Sequence, residues 1–253
     1  MSVLGILFAA ERVKWRKSWL LLVTIVAPLC QVAFLGVVCW FSDARIRMFR
    51  PGFQFWVELN FIAWNLVVMP LTTALVSELS WEQEREARAW NHLWCQPFPR
   101  SAHFMVKLVG HAVLAWGSLI LFALLVVAGG YVLQTNSDLL MGSLPWPLFL
   151  RFLGYSALAL LAIVAFHTWL SMWSPGLWLA VATAGIGSWL AVRMVGNSVA
   201  AQFLPWGLAS QAMLLFERWR VLPWGYSPGA LLLALGIAIG GIAHFARRDR
   251  VHG

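Results

Sequence analysis

Residues 78–107 read ELSWEQEREARAWNHLWCQPFPRSAHFMVK, the longest polar interval in a chain that is otherwise mostly apolar. Of 253 residues, 61% are hydrophobic and 11% charged, and the mean hydropathy is +0.76. An ordinary globular chain carries about 25% charged residues. A water-soluble fold of this length needs a charged surface that these residues cannot supply, so the chain uses lipid as its solvent. A polar interval inside such a chain is where it meets water and any soluble partner.

On either side of that interval the sequence reads as membrane spans. A span needs about 20 apolar residues to cross about 30 Å of hydrocarbon. Six stretches meet this measure, at 19–41, 53–76, 104–133, 147–173, 176–196 and 227–246. The expected fold is an all-α integral membrane protein, one transmembrane domain over 1–253. Ahead of the first span, Leu4, Leu7, Phe8, Trp15 and Trp19 share one side of a helical wheel while Arg16 and Lys17 fall away, which predicts an interfacial helix over 1–18. Glu11 lies inside the apolar sector and Lys14 at its edge, against the pattern. The run 19–41 is too long for the apolar region of a signal peptide and lacks a clear cleavage site, so it reads as an uncleaved span.

An even number of spans places both termini on one side, and Lys and Arg decide which. With an inside N-terminus, eleven basic residues fall inside and seven outside, and Lys14, Lys17 and Lys107 are all inside. Between the last two spans, residues 197–226 are too long for a turn and too interrupted for a span. They hold Leu-Pro-Trp-Gly twice, at 204–207 and 222–225. Pro and Gly break helices, so each copy predicts a turn, and the whole predicts a re-entrant helical hairpin packed on its neighbours. A third Leu-Pro-Trp, at 144–146, precedes the fourth span.

Several chemistries are missing from the sequence. It contains no Gly-Lys pair, hence no phosphate-cradling nucleotide loop, so any ATP that drives it binds on another chain. Cys30, Cys39 and Cys95 show no disulfide or metal spacing, and none of the six histidines stands at ligand spacing from another ligand, so no metal is expected. No Ser, His and carboxylate set marks a hydrolase, and no catalytic residue is assigned. The net charge of +8 fits Arg side chains anchored to headgroups at span ends better than it fits nucleic acid.

Polar and small residues within the spans offer two further features. Glu58, Asn65 and Thr72 recur every seven residues and so stack near one helix face, which suits either a substrate path or polar packing between helices. Ala184 and Gly187 in the fifth span, with Gly236 and Gly240 as GxxxG in the sixth, suit close helix packing within or between subunits. In the polar interval itself, Glu78, Glu82 and Glu86 form an acidic stripe. Glu82 can reach Arg85 and Glu84 can reach Arg88, while Trp90 and Trp94 stack elsewhere on the cylinder. Pro97 and Pro99 end the helix. The segment is a solvated connector or a docking helix.

The basic interfacial start, the first span carrying Pro28, the Glu-rich loop, and Pro97, Arg100 and Ser101 ahead of Lys107 together resemble the ABC-2 type permeases, and within them the short permeases of the lantibiotic-immunity and bacitracin-export kind. The Gly-Thr pair that many members carry after the loop glutamates is replaced here by Ala87 to Trp90. The resemblance implies a permease dimer, homo- or heteromeric, docked on two ABC ATPase subunits that hold ATP and Mg, in the bacterial inner membrane with both termini cytoplasmic. It implies export of a compound such as an antimicrobial peptide. It makes 78–94 the coupling helix, with Glu78, Glu82, Arg85, Glu86, Trp90 and Trp94 receiving the ATPase, makes 1–18 a connecting helix, and lines the path with spans two and five. A membrane-embedded lipid-modifying enzyme and a non-transporting immunity protein are the rival functions.

Overall fold

Inside a bilayer an unpaired peptide N–H or C=O finds no water, so a chain that crosses it closes its hydrogen bonds within each helix. The computed structural model describes residues 3–16, 18–41, 52–86, 99–136, 140, 142–173, 176–194, 203–210 and 226–251, and among them every regular element is helical. In chain order these are α1 (Val3–Arg16), α2 (Trp19–Phe41), α3 (Phe53–Ala63), a π-turn (Trp64–Val68), α4 (Met69–Glu86), α5 (Arg100–Asn136), α6 (Trp146–Trp173), α7 (Leu177–Arg193) and α8 (Tyr226–Val251). Among the described residues, four helical runs are long and apolar enough to cross a membrane: Trp19–Phe41, Phe53–Glu86, Ser101–Asn136 and Trp146–Trp173. The fifth and sixth expected spans correspond to shorter apolar helices, Leu177–Arg193 and Leu231–His244.

Aromatic side chains from α3, α5 and α6 make the centre of the core. Phe61 packs edge-on against Phe122 at 5.2 Å and Phe149 at 5.5 Å, and Trp64 stacks on Phe122 at 4.4 Å. Trp56 is fully buried, and its indole N–H donates to the Val126 carbonyl at 2.7 Å. Gly129 and Gly130 open the space for this contact: a Cβ on Gly130 would lie 2.4 Å from the Phe53 ring and 3.0 Å from Trp56. Small residues thus let α3 settle into α5, as close packing in lipid requires.

The second span bears an irregularity that periodicity did not predict. The Met69 N–H reaches back five residues to the Trp64 carbonyl, a π-type bond, immediately before Pro70. A proline inside a helix has no N–H to donate and its ring crowds the carbonyl four residues back, so widening the preceding turn relieves both defects. A π-bulge also shifts the register on its far side by roughly one residue, about 100°. The seven-residue spacing therefore does not keep Thr72, beyond the bulge, on the face that Glu58 and Asn65 share.

Of the expected hairpin, residues 203–210 are described. The first Leu-Pro-Trp-Gly makes the expected turn, with the Gly207 N–H on the Leu204 carbonyl at 2.9 Å, and Pro205 to Ser210 are buried. Trp206 packs on Phe166 of α6 at 5.1 Å and over Gly187 of α7, where a Cβ would meet the indole at 2.4 Å. The second copy of the motif lies outside the described residues. The C-terminal part of α8 brings Gly241 against Phe104 and His244 against Trp173, so it shares one end of the bundle with the start of α5 and the end of α6.

Candidate functional site

At that same end, α1, α4 and α5 meet around four charges. Glu11 and Lys14 come from α1, Glu84 from the last turn of α4 and Lys107 from the second turn of α5. They form a closed ring of alternating sign. Lys14 Nζ donates to Glu11 Oε2 at 3.1 Å and Glu84 Oε1 at 2.6 Å, and Lys107 Nζ donates to Glu11 Oε1 at 3.0 Å and Glu84 Oε1 at 3.1 Å. Ser80 completes it, accepting from Lys107 on its hydroxyl at 2.7 Å and its carbonyl at 2.9 Å, and donating to Glu11 at 3.3 Å. Glu11 and Lys107 are each 3% exposed. Charges this deep are tolerated only when paired and fully hydrogen-bonded, and two carboxylates facing two ammoniums leave the ring neutral. The Lys107 ammonium has three hydrogens and finds four acceptors, and it also lies 5.0 Å from the centre of the Trp81 ring.

The ring reshapes the acid–base properties of the α1 groups. Burial pushes the Glu11 carboxyl up, but Lys107 and Lys14, by charge and hydrogen bond, outweigh it and hold the carboxyl down at about 2. Burial likewise works against the Lys14 ammonium, and the carboxylates of Glu84 and Glu11 outweigh it and raise its pKa above the ordinary value. Each charge is held by its opposite, so the ring clamps α1 onto the bundle. Trp15 supports the clamp, packing over Gly110 of α5, where a Cβ would lie 3.0 Å from the indole.

A second fastening lies one turn away. Glu78 is buried and pairs with Arg85, and its Oε1 accepts the Gly176 backbone N–H at 2.9 Å. Gly176 precedes α7 with φ +154°, a conformation that L side chains rarely adopt, so the glycine lets the chain aim its N–H at α4. A carboxylate there also offsets the partial positive charge of the α7 N-terminus. Arg85 donates to the Ser171 carbonyl in the last turn of α6 at 3.1 Å. Trp81 donates to the Thr168 carbonyl at 3.1 Å, and the Thr168 hydroxyl meets His111 Nδ1 of α5 at 2.9 Å. Consecutive turns at the end of α4 are thus tied to α1, α5, α6 and α7.

This geometry revises the acidic stripe. Phe53–Glu86 is one continuous helical run, so residues 78–86 continue the helix of span two. Glu78 faces no water; Arg85 pairs with Glu78, not Glu82, and Glu84 is committed to the ring. Glu82 is half-buried and Glu86 exposed. Arg88, Trp90 and Trp94 lie outside the described residues. Glu58 is half-buried and accepts a hydrogen bond from Gln54 at 2.7 Å. Asn65 is buried and donates to Ser156 of α6 at 2.8 Å and to the Phe61 carbonyl, a helix-packing contact, and Thr72 is buried. Ala184 packs against Ala74. Among the described residues, nothing stands within 4 Å of where a Cβ would sit on Gly236 or Gly240. Among the same residues, no group of three His, Cys, Asp or Glu is placed to hold a metal.

Glu11, Lys14, Ser80, Glu84 and Lys107 were not singled out as a site by sequence. The signal was the misfit of Glu11 and Lys14 on the α1 wheel, which needed two opposite charges, from other helices, to explain it.

No curated protein and no solved structure matches the chain. A family model described as ABC-2 family transporter protein matches residues 7–190, a stretch that contains every residue of the ring and of the Glu78 fastening. With that match over most of its length, and with its long apolar helices, the chain belongs to the ABC-2 family of transporter proteins, as a multi-pass membrane component.

Proposed function

We propose that the chain is the permease subunit of an ATP-driven exporter, powered by a separate ABC ATPase that binds ATP and Mg, and that the end of α4 receives the ATPase. The observation that carries the reading is the double fastening of that end: Glu84 ties it to α1 and α5, and Glu78 and Arg85 tie it to α6 and α7. A push on residues 82–86 therefore moves several helices together. Glu82 and Glu86, one turn apart and turned away from the ring, offer carboxylates to a basic partner surface. The lack of a nucleotide loop in these residues supports an energy source outside them.

In this reading two permease subunits pair, both termini face the cytoplasm of a bacterial inner membrane, and the cargo is amphipathic, as for the antimicrobial peptides handled by the short permeases this chain resembles. Tilting of spans two and five changes access to the path, and ATP binding drives it only through contacts that differ between the two states. The test is co-expression with any ABC ATPase that an adjacent reading frame encodes. Wild-type chain should co-purify with it, and Glu82→Arg with Glu86→Arg should cut recovery by about tenfold, the effect of about 1.4 kcal/mol of lost charge complementarity. Unchanged recovery of the ATPase with the double variant contradicts the docking site. Lipid turnover by the chain without ATP contradicts the permease reading itself.

A further inference from the structure

Three helices carry a weak point at one level of the bundle, between the aromatic core and the charged ring. Two sets of contacts fix that level. On the core side, Gln31 of α2 donates to the Asn60 carbonyl at 2.8 Å, and Trp64 stacks on Phe122 of α5. On the ring side, Leu20 of α2, Val76 of α4 and Leu114 of α5 cluster with Trp15. Between these contacts α2 passes Pro28 and Thr24, span two passes the π-turn and Pro70, and α5 passes Ser118 and Gly117. Pro28 has no N–H to give the Thr24 carbonyl, which accepts instead from the Ser118 hydroxyl at 2.8 Å. The Asn60 and Phe61 carbonyls, just ahead of the π-turn, also accept from side chains, those of Gln31 and Asn65. A Gly-Ser pair, as at 117–118, is itself a usual place for a helix to kink, and packing does not demand this glycine: nothing stands within 4 Å of where its Cβ would be.

We propose that this level is a hinge, at which the end of the bundle that carries the charged ring bends against the aromatic core. The interrupted ladders of α2 and span two give little resistance there, and the side-chain hydrogen bonds that replace them follow a bend that a continuous ladder would oppose. A bend of about 20°, the size at which a kink counts as sharp, moves Gly110, about 12 Å further along α5, by about 4 Å. Ser118 is the pin of the hinge, because its one hydroxyl joins the irregular turn of α2 to that of α5. By contrast α6 crosses the same level, between Ser156 beside Asn65 and Thr168 beside Trp81, with neither Gly nor Pro, so it follows only by tilting whole. The hinge rests on the permease reading only for the force that drives it.

The test uses the full chain in lipid nanodiscs without an ATPase, with Cys30, Cys39 and Cys95 replaced by Ala, and reads distances by pulsed electron spin resonance. Labels at exposed Val13 and Val132 straddle the level, and labels at exposed Leu150 and half-exposed Leu170 span unbroken α6 as the reference. The Val13–Val132 distribution should be broader than the reference by about 4 Å, the displacement of the bend. Pro28→Ala with Pro70→Ala, which returns both N–H donors, should narrow it to the reference width. Gly117→Ala, the milder change, should narrow it in part. Ser118→Ala should broaden it further, and Ser118→Thr, which keeps the hydroxyl, should not. A wild-type distribution as narrow as the reference overturns the hinge. A broad one that neither the proline variant nor Gly117→Ala narrows overturns it in favour of motion of α1 alone. These distances need no ATPase, and recovery of the ATPase needs no hinge, so the hinge and the permease reading fail separately.

Discussion

Glu84 and Lys107 show how a few charges hold the site together. Each is buried; Glu84 pairs with Lys14 and Lys107, and Lys107 pairs with Glu11 and Glu84, so removing either leaves an opposite charge uncompensated in a dry setting. Glu84→Gln or Lys107→Met alone should destabilise the chain by about 3–5 kcal/mol, read from thermal unfolding in lipid nanodiscs. The double variant should cost less than the two single losses added together, because it restores neutrality. Additive losses would show that the two residues do not share one network. Glu11 adds a pH dependence. Its carboxyl is depressed to about 2 in the folded chain, so the stability it contributes is complete above its ordinary value of 4.5 and is lost as pH falls from there through about 2. Lys14 is raised, so its contribution is complete below its ordinary value of 10.5 and is lost as pH rises through the higher folded value. Protease cleavage within α1 should therefore stay slow across neutral pH and accelerate below about 4.5 in the wild type. Glu11→Gln should lose this acid dependence.

Among the helices themselves, most were legible in the sequence because apolar length alone specifies a span, and α2 has the Trp19–Phe41 bounds that its apolar run predicts. The details that set the site were not, because they depend on which helices become neighbours. Nothing local to Pro70 says that the strain it creates is taken up by a π-turn at Trp64–Val68 rather than by a kink, yet that turn decides where Asn65 points. Residues 78–86 looked like a separate amphipathic helix because their charges match a wet face, and burial of Glu78 and Glu84 is tolerable only beside Gly176, Lys14 and Lys107, which are distant in sequence. Glycine roles divide the same way. Gly130→Ala should destabilise the α3–α5 contact by about 1–3 kcal/mol, as overpacking does, since its Cβ would strike Phe53 at 2.4 Å. Gly117→Ala on the same helix, with open space around it, should be neutral or slightly stabilising in the same unfolding measurement. Equal effects at the two positions would contradict the packing of α3 on α5.

In the molecule as a whole, α1 packs on one end of the bundle. Phe8, Glu11 and Trp15 turn inward, while Leu4, Ile6 and Val13 remain exposed, and Trp19 follows them outward at the start of α2. Composition and span count gave the class of the chain, and the family match over residues 7–190 agrees with them. The consequence of the charged ring is mechanical: α1, the end of α4 and the start of α5 are tied into one piece, which in the proposed permease moves as a unit when an ATPase pushes on it. Spin labels at exposed Val13 and half-exposed Gln83, which leave the docking carboxylates in place, in the full proposed permease–ATPase complex, read by pulsed electron spin resonance, report on that motion. The prediction is one narrow distance distribution, the same without nucleotide and with ATP trapped, that broadens in Glu84→Gln with Lys107→Met. A shift of several ångströms between the two nucleotide states in the wild type would show that α1 and α4 move apart, and would contradict a rigid end shared by the three helices.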